Sequence, residues 1–242
     1  MRPLVAPAAL ALLLPLAGCG SDDENLTVLA AASLTDVFED LAAEFEEEHG
    51  VEVDLSFGSS TGLAEQVADG APGDVLATAD EPSMQLTEDA GVTGDAAAFA
   101  TNVPVIVTPP DNPAGIETLA DLADTTWVRC ADEVPCGRVA RDVLEDGGIV
   151  AEPVSLEEDV RATLDKVASG EADAGLVYAT DAVAAGDRVA TIEIPGAAAH
   201  RTSYFLATLE QAADDDLAQG WVDLVLSERG REVLAEAGFG TP

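Results

Sequence analysis

Apolar positions recur along this chain in two periods, and the two alternate. "NLTVLAAA", starting at Asn25, is an apolar run that predicts a buried strand. Leu34, Val37, Phe38, Leu41 and Phe45 then fall at helical spacing, which predicts a helix opening at Ser33 with Ser33 and Asp36 as a near capping box. "VEVDLSF" alternates as a strand, "GSSTG" turns, and "LAEQVADG" begins a second helix. "GDVLATAD" predicts a third strand, followed by a helix at "EPSMQL", a strand at "VPVIVTP", and a loop with a short helix at "DNPAGIETLADL". The second half repeats the alternation. "TWVRCA" is a strand, and "VPCGRVARDVLEDGG" reads as a turn, a helix and a glycine stop. "SLEEDVRATLDKVASG" reads as one capped amphipathic helix with Val160, Leu164 and Val167 on a single face. "EADAGLVYATDAV" holds a buried strand ending at Tyr178; "RVATIEIP" and "TSYFLATL" are further strands, and two helices close the chain.

Strands alternating with helices predict an α/β fold with a mainly parallel sheet covered on both faces. Ligands in such folds sit beyond the carboxyl ends of the strands, where helix N-termini converge. No repeat or low-complexity linker divides the body of the chain.

The N-terminus changes the picture. "MRPLVAPAALALLLPLAGCG" has one Arg, an apolar stretch too short for an ordinary span, and small residues before Cys19. "LAGC" resembles the bacterial lipobox, where the signal peptide is cut before a cysteine that becomes acylated; an ordinary signal peptide cleaved nearby is the alternative. The expectation is an exported protein, lipid-anchored at Cys19 on the outer face of the cell membrane. "GSDDEN" then reads as a polar tether.

Charge excludes whole classes. There are 47 acidic residues against 10 basic, a formal net charge of −37 over 242 residues. Nucleic-acid binding needs clustered Lys and Arg, and so does docking on anionic lipid, so membrane contact is expected through the lipid anchor only. Lys166, the single lysine, lies inside a helix, which removes a P-loop. No G-x-S-x-G elbow is present, and the two histidines, His49 and His200, sit in a charged helix end and a loop. No catalytic residues, cofactor or cation site are expected.

Hydroxyls and helix-start N–H groups remain. Backbone N–H groups with the positive helix end form a ready anion site. Donors alone suit a fully ionised oxyanion, whereas a protonated phosphate wants an acceptor. By itself Ser33 is equally a plain helix cap or a ligand contact.

With Cys19 committed to lipid, Cys130 and Cys136 flank the turn "CADEVPC" in an exported chain. A metal site would need more Cys or His, and a redox pair usually has C-x-x-C spacing. Compartment and count favour a structural disulfide.

Taken in order, "AAASLTDVFEDLAAEF", "FGSSTGLAEQVADGAPGDVLATAD", "EVPCGRVARDVL", "EEDVRATL", "GLVYATDAV" and the closing "AGF" resemble one family, the periplasmic molybdate-binding proteins of ABC importers. The resemblance implies a two-lobed binding-protein fold: a signal peptide at 1–18, a tether at 19–25, lobe 1 at 26–103, lobe 2 at 104–203, and a return to lobe 1 at 204–242. It implies a monomer that closes on molybdate or tungstate and delivers it to a membrane permease. Carried over by position, Ser33 gives hydroxyl and N–H contacts, Ser60 matches the second serine of the F-x-S-S turn, Val160 offers its N–H and Tyr178 its phenol. Cys136 stands where the family usually has a small residue binding through its backbone N–H. Another small oxyanion, sulfate or phosphate, is the alternative ligand; an exported α/β enzyme is the alternative of a different class.

Overall fold

The computed structural model describes residues 25–242; the expected signal peptide, Cys19 and tether residues 19–24 lie outside them. Ten strands and eight α-helices follow in the order β1 (Asn25–Ala31), α1 (Thr35–His49), β2 (Glu52–Gly58), α2 (Ser60–Ala68), β3 (Val75–Thr78), α3 (Glu81–Ala90), β4 (Ala97–Asn102), β5 (Pro104–Thr108), β6 (Trp127–Cys130), α4 (Pro135–Asp146), β7 (Ser155–Glu157), α5 (Val160–Ala168), β8 (Ala174–Tyr178), α6 (Ala179–Ala185), β9 (Ala190–Glu193), β10 (Thr202–Thr208), α7 (Asp215–Leu226) and α8 (Glu228–Glu236).

The strands form two five-stranded sheets with equivalent orders, β2-β1-β3-β10-β4 and β7-β6-β8-β5-β9. Each is mainly parallel with one reversed strand, β10 in the first and β5 in the second. The sheets are therefore mixed. Only Val103 separates β4 of the first from β5 of the second, and residues 194–201 carry the chain back.

Each sheet buries both faces, as its near-continuous apolar strands require. In the first, Phe38 and Phe45 of α1 meet the Trp221 ring of α7 edge-on, with centroids 5.4 and 5.6 Å apart. Burying each such ring contributes about 1.5–3 kcal/mol. On the opposite face, Leu63 and Val67 of α2 pack with Leu76 and Met84. In the second sheet, Val128, Leu164, Val167 and Val177 fill one side, and Trp127, Val143 and Leu176 the other.

Three local expectations need correcting. Ser33 does not cap α1: it sits in a 3₁₀ turn, Ala32–Leu34, and the N-cap, Leu34, makes no side-chain cap bond. "SLE" is not helical but forms β7 beside β6, and α5 starts after Asp159, whose carboxylate accepts from Ala162 N–H at 2.9 Å. The turn read in "GSSTG" is shorter than expected, because α2 already begins at Ser60.

Candidate functional site

Four helical segments begin at the carboxyl ends of the strands facing the gap between the sheets. The Ala32–Leu34 turn follows β1, α2 follows β2, α4 follows β6 and α5 follows β7. Together with the end of β8 they line one small pocket with a cavity volume of about 20 Å³. Ser33, Ser60, Cys136, Val160 and Tyr178 all line it, two from the first sheet's connections and three from the second's. Pockets that hold drug-sized ligands have volumes of roughly 300–1,000 Å³. This space suits an ion.

Each lining group has a local reason for its place. Ser33 is 4% exposed, and its Oγ lies 2.7 Å from the Tyr204 hydroxyl. Ser59, not Ser60, caps α2, accepting from Gly62 N–H. That leaves the buried Ser60 hydroxyl to accept from Ala79 N–H at 2.9 Å, so its own proton remains available. Pro135 opens α4 and has no N–H, while Val134, the N-cap, makes no side-chain cap bond. Cys136 therefore carries the first N–H of an uncapped helix start, the kind of orphan donor a ligand can satisfy. In α5 the Asp159 cap engages Ala162 N–H and leaves Val160 N–H uncapped.

Two features hold the Cys136 segment. A Cys130–Cys136 disulfide joins the end of β6 to α4, with the Cα atoms 5.7 Å apart. Gly137 follows because nothing larger fits: a Cβ there would stand 1.7 Å from the Ala131 carbonyl oxygen.

Tyr178 is the most exacting member. Its ring is buried, and its hydroxyl has no hydrogen-bond partner among the described residues. Burial, followed by the neighbouring Tyr204, Asp80 and Asp181, pushes its phenol well above the ordinary range. It stays protonated and is a donor awaiting an acceptor. An orphaned buried hydroxyl costs about 1–3 kcal/mol, which a bound oxyanion would relieve.

The charges differ from expectation. Asp159 borders the pocket, so a carboxylate is present, although one of its oxygens is engaged by Ala162 N–H. Nor is the neighbourhood free of cations. Arg138, in α4, reaches across to Asp80, the N-cap of α3, donating from Nε at 2.8 Å, and also bonds the Thr61 hydroxyl. Arg161, in α5, meets Asp36 of α1 and lies 3.2 Å from the buried Asp181. Neither arginine lines the pocket. Both arginines link a helix of the second sheet's lobe to a carboxylate of the first. Sequence reasoning missed both arginines as bridges, along with Tyr204 behind Ser33. The only local signal was the place of Arg138 just inside a helix whose start was already suspected.

The family of bacterial extracellular solute-binding proteins matches residues 26–240. The molybdate-binding protein ModA of Mycobacterium tuberculosis (strain ATCC 25618 / H37Rv) is 37% identical over 230 residues, which is 93% of this chain and 88% of that protein. ModA of Escherichia coli (strain K12) is 30% identical over 234 residues, 90% of each chain. Among solved structures, the periplasmic molybdate-binding protein of Azotobacter vinelandii superposes with a TM-score of 0.80 at 22% identity, covering 90% of this chain and 99% of that one. At that identity the likeness concerns the fold.

Proposed function

Because the chain belongs to the bacterial extracellular solute-binding protein family, matched over residues 26–240, we propose that it captures molybdate or tungstate outside the cell and delivers it to an ABC importer. The observation that supports this reading is the pocket itself: Ser33, Ser60 and Tyr178, with the uncapped helix starts at Cys136 and Val160, line one space of ionic size, and the Tyr178 hydroxyl has no hydrogen-bond partner among the described residues. The similarity to ModA proteins over nine-tenths of the chain supports molybdate as the anion.

Ser33 and Ser60 donate hydroxyl protons, Cys136 and Val160 donate backbone N–H groups, and Tyr178 donates its phenolic proton. The anion is bound without a cofactor or a cation and leaves unchanged, so no catalytic group is assigned. The dense surface charge does not oppose this, because exposed charge is screened over about 8–10 Å in ordinary salt while the donors act at contact distance. The protein works as a monomer, held to the outer face of the membrane by lipid on Cys19, and presents its loaded lobes to a permease.

Calorimetric titration with molybdate, tungstate, sulfate and phosphate tests the reading. Tight binding of the first two, with weak binding of phosphate at neutral pH, is expected. Comparable affinity for phosphate would sink it.

A further inference from the structure

A serine hydroxyl can show a ligand either its proton or its lone pairs. Residues behind Ser33, outside the pocket, decide which it shows. Asn102 ends β4, next to the single residue that joins the two sheets. Its Oδ1 accepts from the Val103 N–H at 3.0 Å, which fixes the orientation of the amide. Its Nδ2 must then donate, and it does so twice: to Thr180 Oγ1 at 2.7 Å and to the Tyr204 hydroxyl at 3.3 Å.

Tyr204 is fully buried, and its remaining polar neighbour is Ser33 Oγ at 2.7 Å. The tyrosine oxygen is occupied as an acceptor from Asn102, so its proton goes to Ser33. The reverse arrangement, with Ser33 donating to Tyr204, would leave the Tyr204 proton buried and unpaired. Ser33 therefore accepts from behind and has its own proton free for the pocket.

We propose that Asn102 and Tyr204 are positioning residues that aim the Ser33 proton into the pocket and so bias the site toward fully ionised oxyanions, with the Asp159 carboxylate as the acceptor that remains at its border. The inference deepens the oxyanion function proposed above and rests on it. An anion that still carries a proton needs an acceptor, and this hydrogen-bond chain removes one. The chain also starts at the crossing between the sheets. Its second branch, to Thr180, ties the orientation to the other sheet's α6.

A double-mutant cycle on the purified protein, titrated with molybdate and with phosphate, tests this. Tyr204→Phe keeps the ring and removes the hydroxyl. It should weaken molybdate binding about tenfold, or about 1.4 kcal/mol, and narrow the preference for molybdate over phosphate. In a Ser33→Ala background the same change should alter affinity by less than about twofold, since residues acting as a unit are not additive. An equal loss in both backgrounds, or no loss in the parent, overturns the inference, because Tyr204 would then act by packing or not at all. If Tyr204→Phe does not fold, Asn102→Ala run through the same cycle gives the same two outcomes. Failure of the unsubstituted protein to bind molybdate overturns the function beneath it instead.

Discussion

Arg138 Nε donates to Asp80 Oδ2 at 2.8 Å, and this contact joins the helix that presents Cys136 to the turn that follows β3. Asp80 is already committed, since its Oδ1 accepts from Ser83 N–H to cap α3. The guanidinium thus ties one wall of the pocket to a rigid point on the other.

Arg138→Gln should accelerate anion release. A hydrogen bond to a charged group contributes about 1.5–3 kcal/mol, discounted here because the arginine side chain is 26% exposed. A loss of about 1–2 kcal/mol from the closed arrangement speeds dissociation roughly five- to thirtyfold. Stopped-flow displacement of molybdate measures it, and an unchanged rate would show that the pair does not hold the lobes together.

Tyr178→Phe and Ser60→Ala should separate binding from stability. The Tyr178 hydroxyl has no partner among the described residues, so removing it should lower molybdate affinity about tenfold while leaving the ligand-free melting temperature unchanged or slightly higher. Ser60→Ala should lower affinity similarly but also strand the Ala79 N–H, at a cost of about 1–3 kcal/mol. That is a drop of several degrees for a chain of this size. Equal melting temperatures for the two variants would contradict the assignment.

Asp181 makes stability pH-dependent. Burial pushes its carboxyl up from 3.8 to about 7, against the pull of Arg161 and of the Tyr178 N–H it accepts. Between those values the native chain holds a proton that the unfolded chain has released. This group's contribution therefore falls as pH rises from about 4 through 7 and is least favourable above 7. Asp181→Asn keeps an acceptor for Tyr178 N–H and removes the titration. Its melting temperature relative to the parent should climb between pH 5 and pH 8; parallel pH profiles would refute the assignment.

The disulfide should matter to both affinity and stability. Cys130→Ser with Cys136→Ser releases the short loop before α4, and the chain-entropy account gives about 2–3 kcal/mol for a loop of this length. Melting temperature and molybdate affinity should both decline, the second because more ordering is then lost on binding. Thiol titration of the native, aerobically purified protein should find neither cysteine reactive.

What the sequence made legible was local. The apolar periods located nearly every element, and the Ser33, Ser60, Cys136, Val160 and Tyr178 junctions could be picked out because each lies at a strand end or helix start. β4 is not legible because "AAFATN" has neither a clear alternation nor a strong β-former at most positions. β7 reads as a helix start because Ser-Leu-Glu-Glu imitates a cap, and only pairing with β6 reveals it as a strand. The groups behind the pocket were invisible for another reason. Ser33 meets Tyr204 across 171 positions and Arg138 meets Asp80 across 58. Pairings so remote leave no spacing to read.

The sheet order also dictates a sequence of events when the chain first acquires its structure. β4 lies at an edge of its sheet, where its one strand partner is β10 and Thr101 adds a bridge to Gly240, so Asn102 waits for Thr202, one hundred residues downstream. The second sheet draws all five strands from one uninterrupted stretch, Pro104 to Glu193. As the polypeptide emerges from N- to C-terminus, the later half can complete its sheet while the earlier half still lacks β10. Closing the long loop between β4 and β10 is entropically slow when its interior is slack. With the second sheet already formed, that interior is a compact body whose ends both lie on one side. The sheet begun second can thus close first and serve as the template on which the sheet begun first finishes.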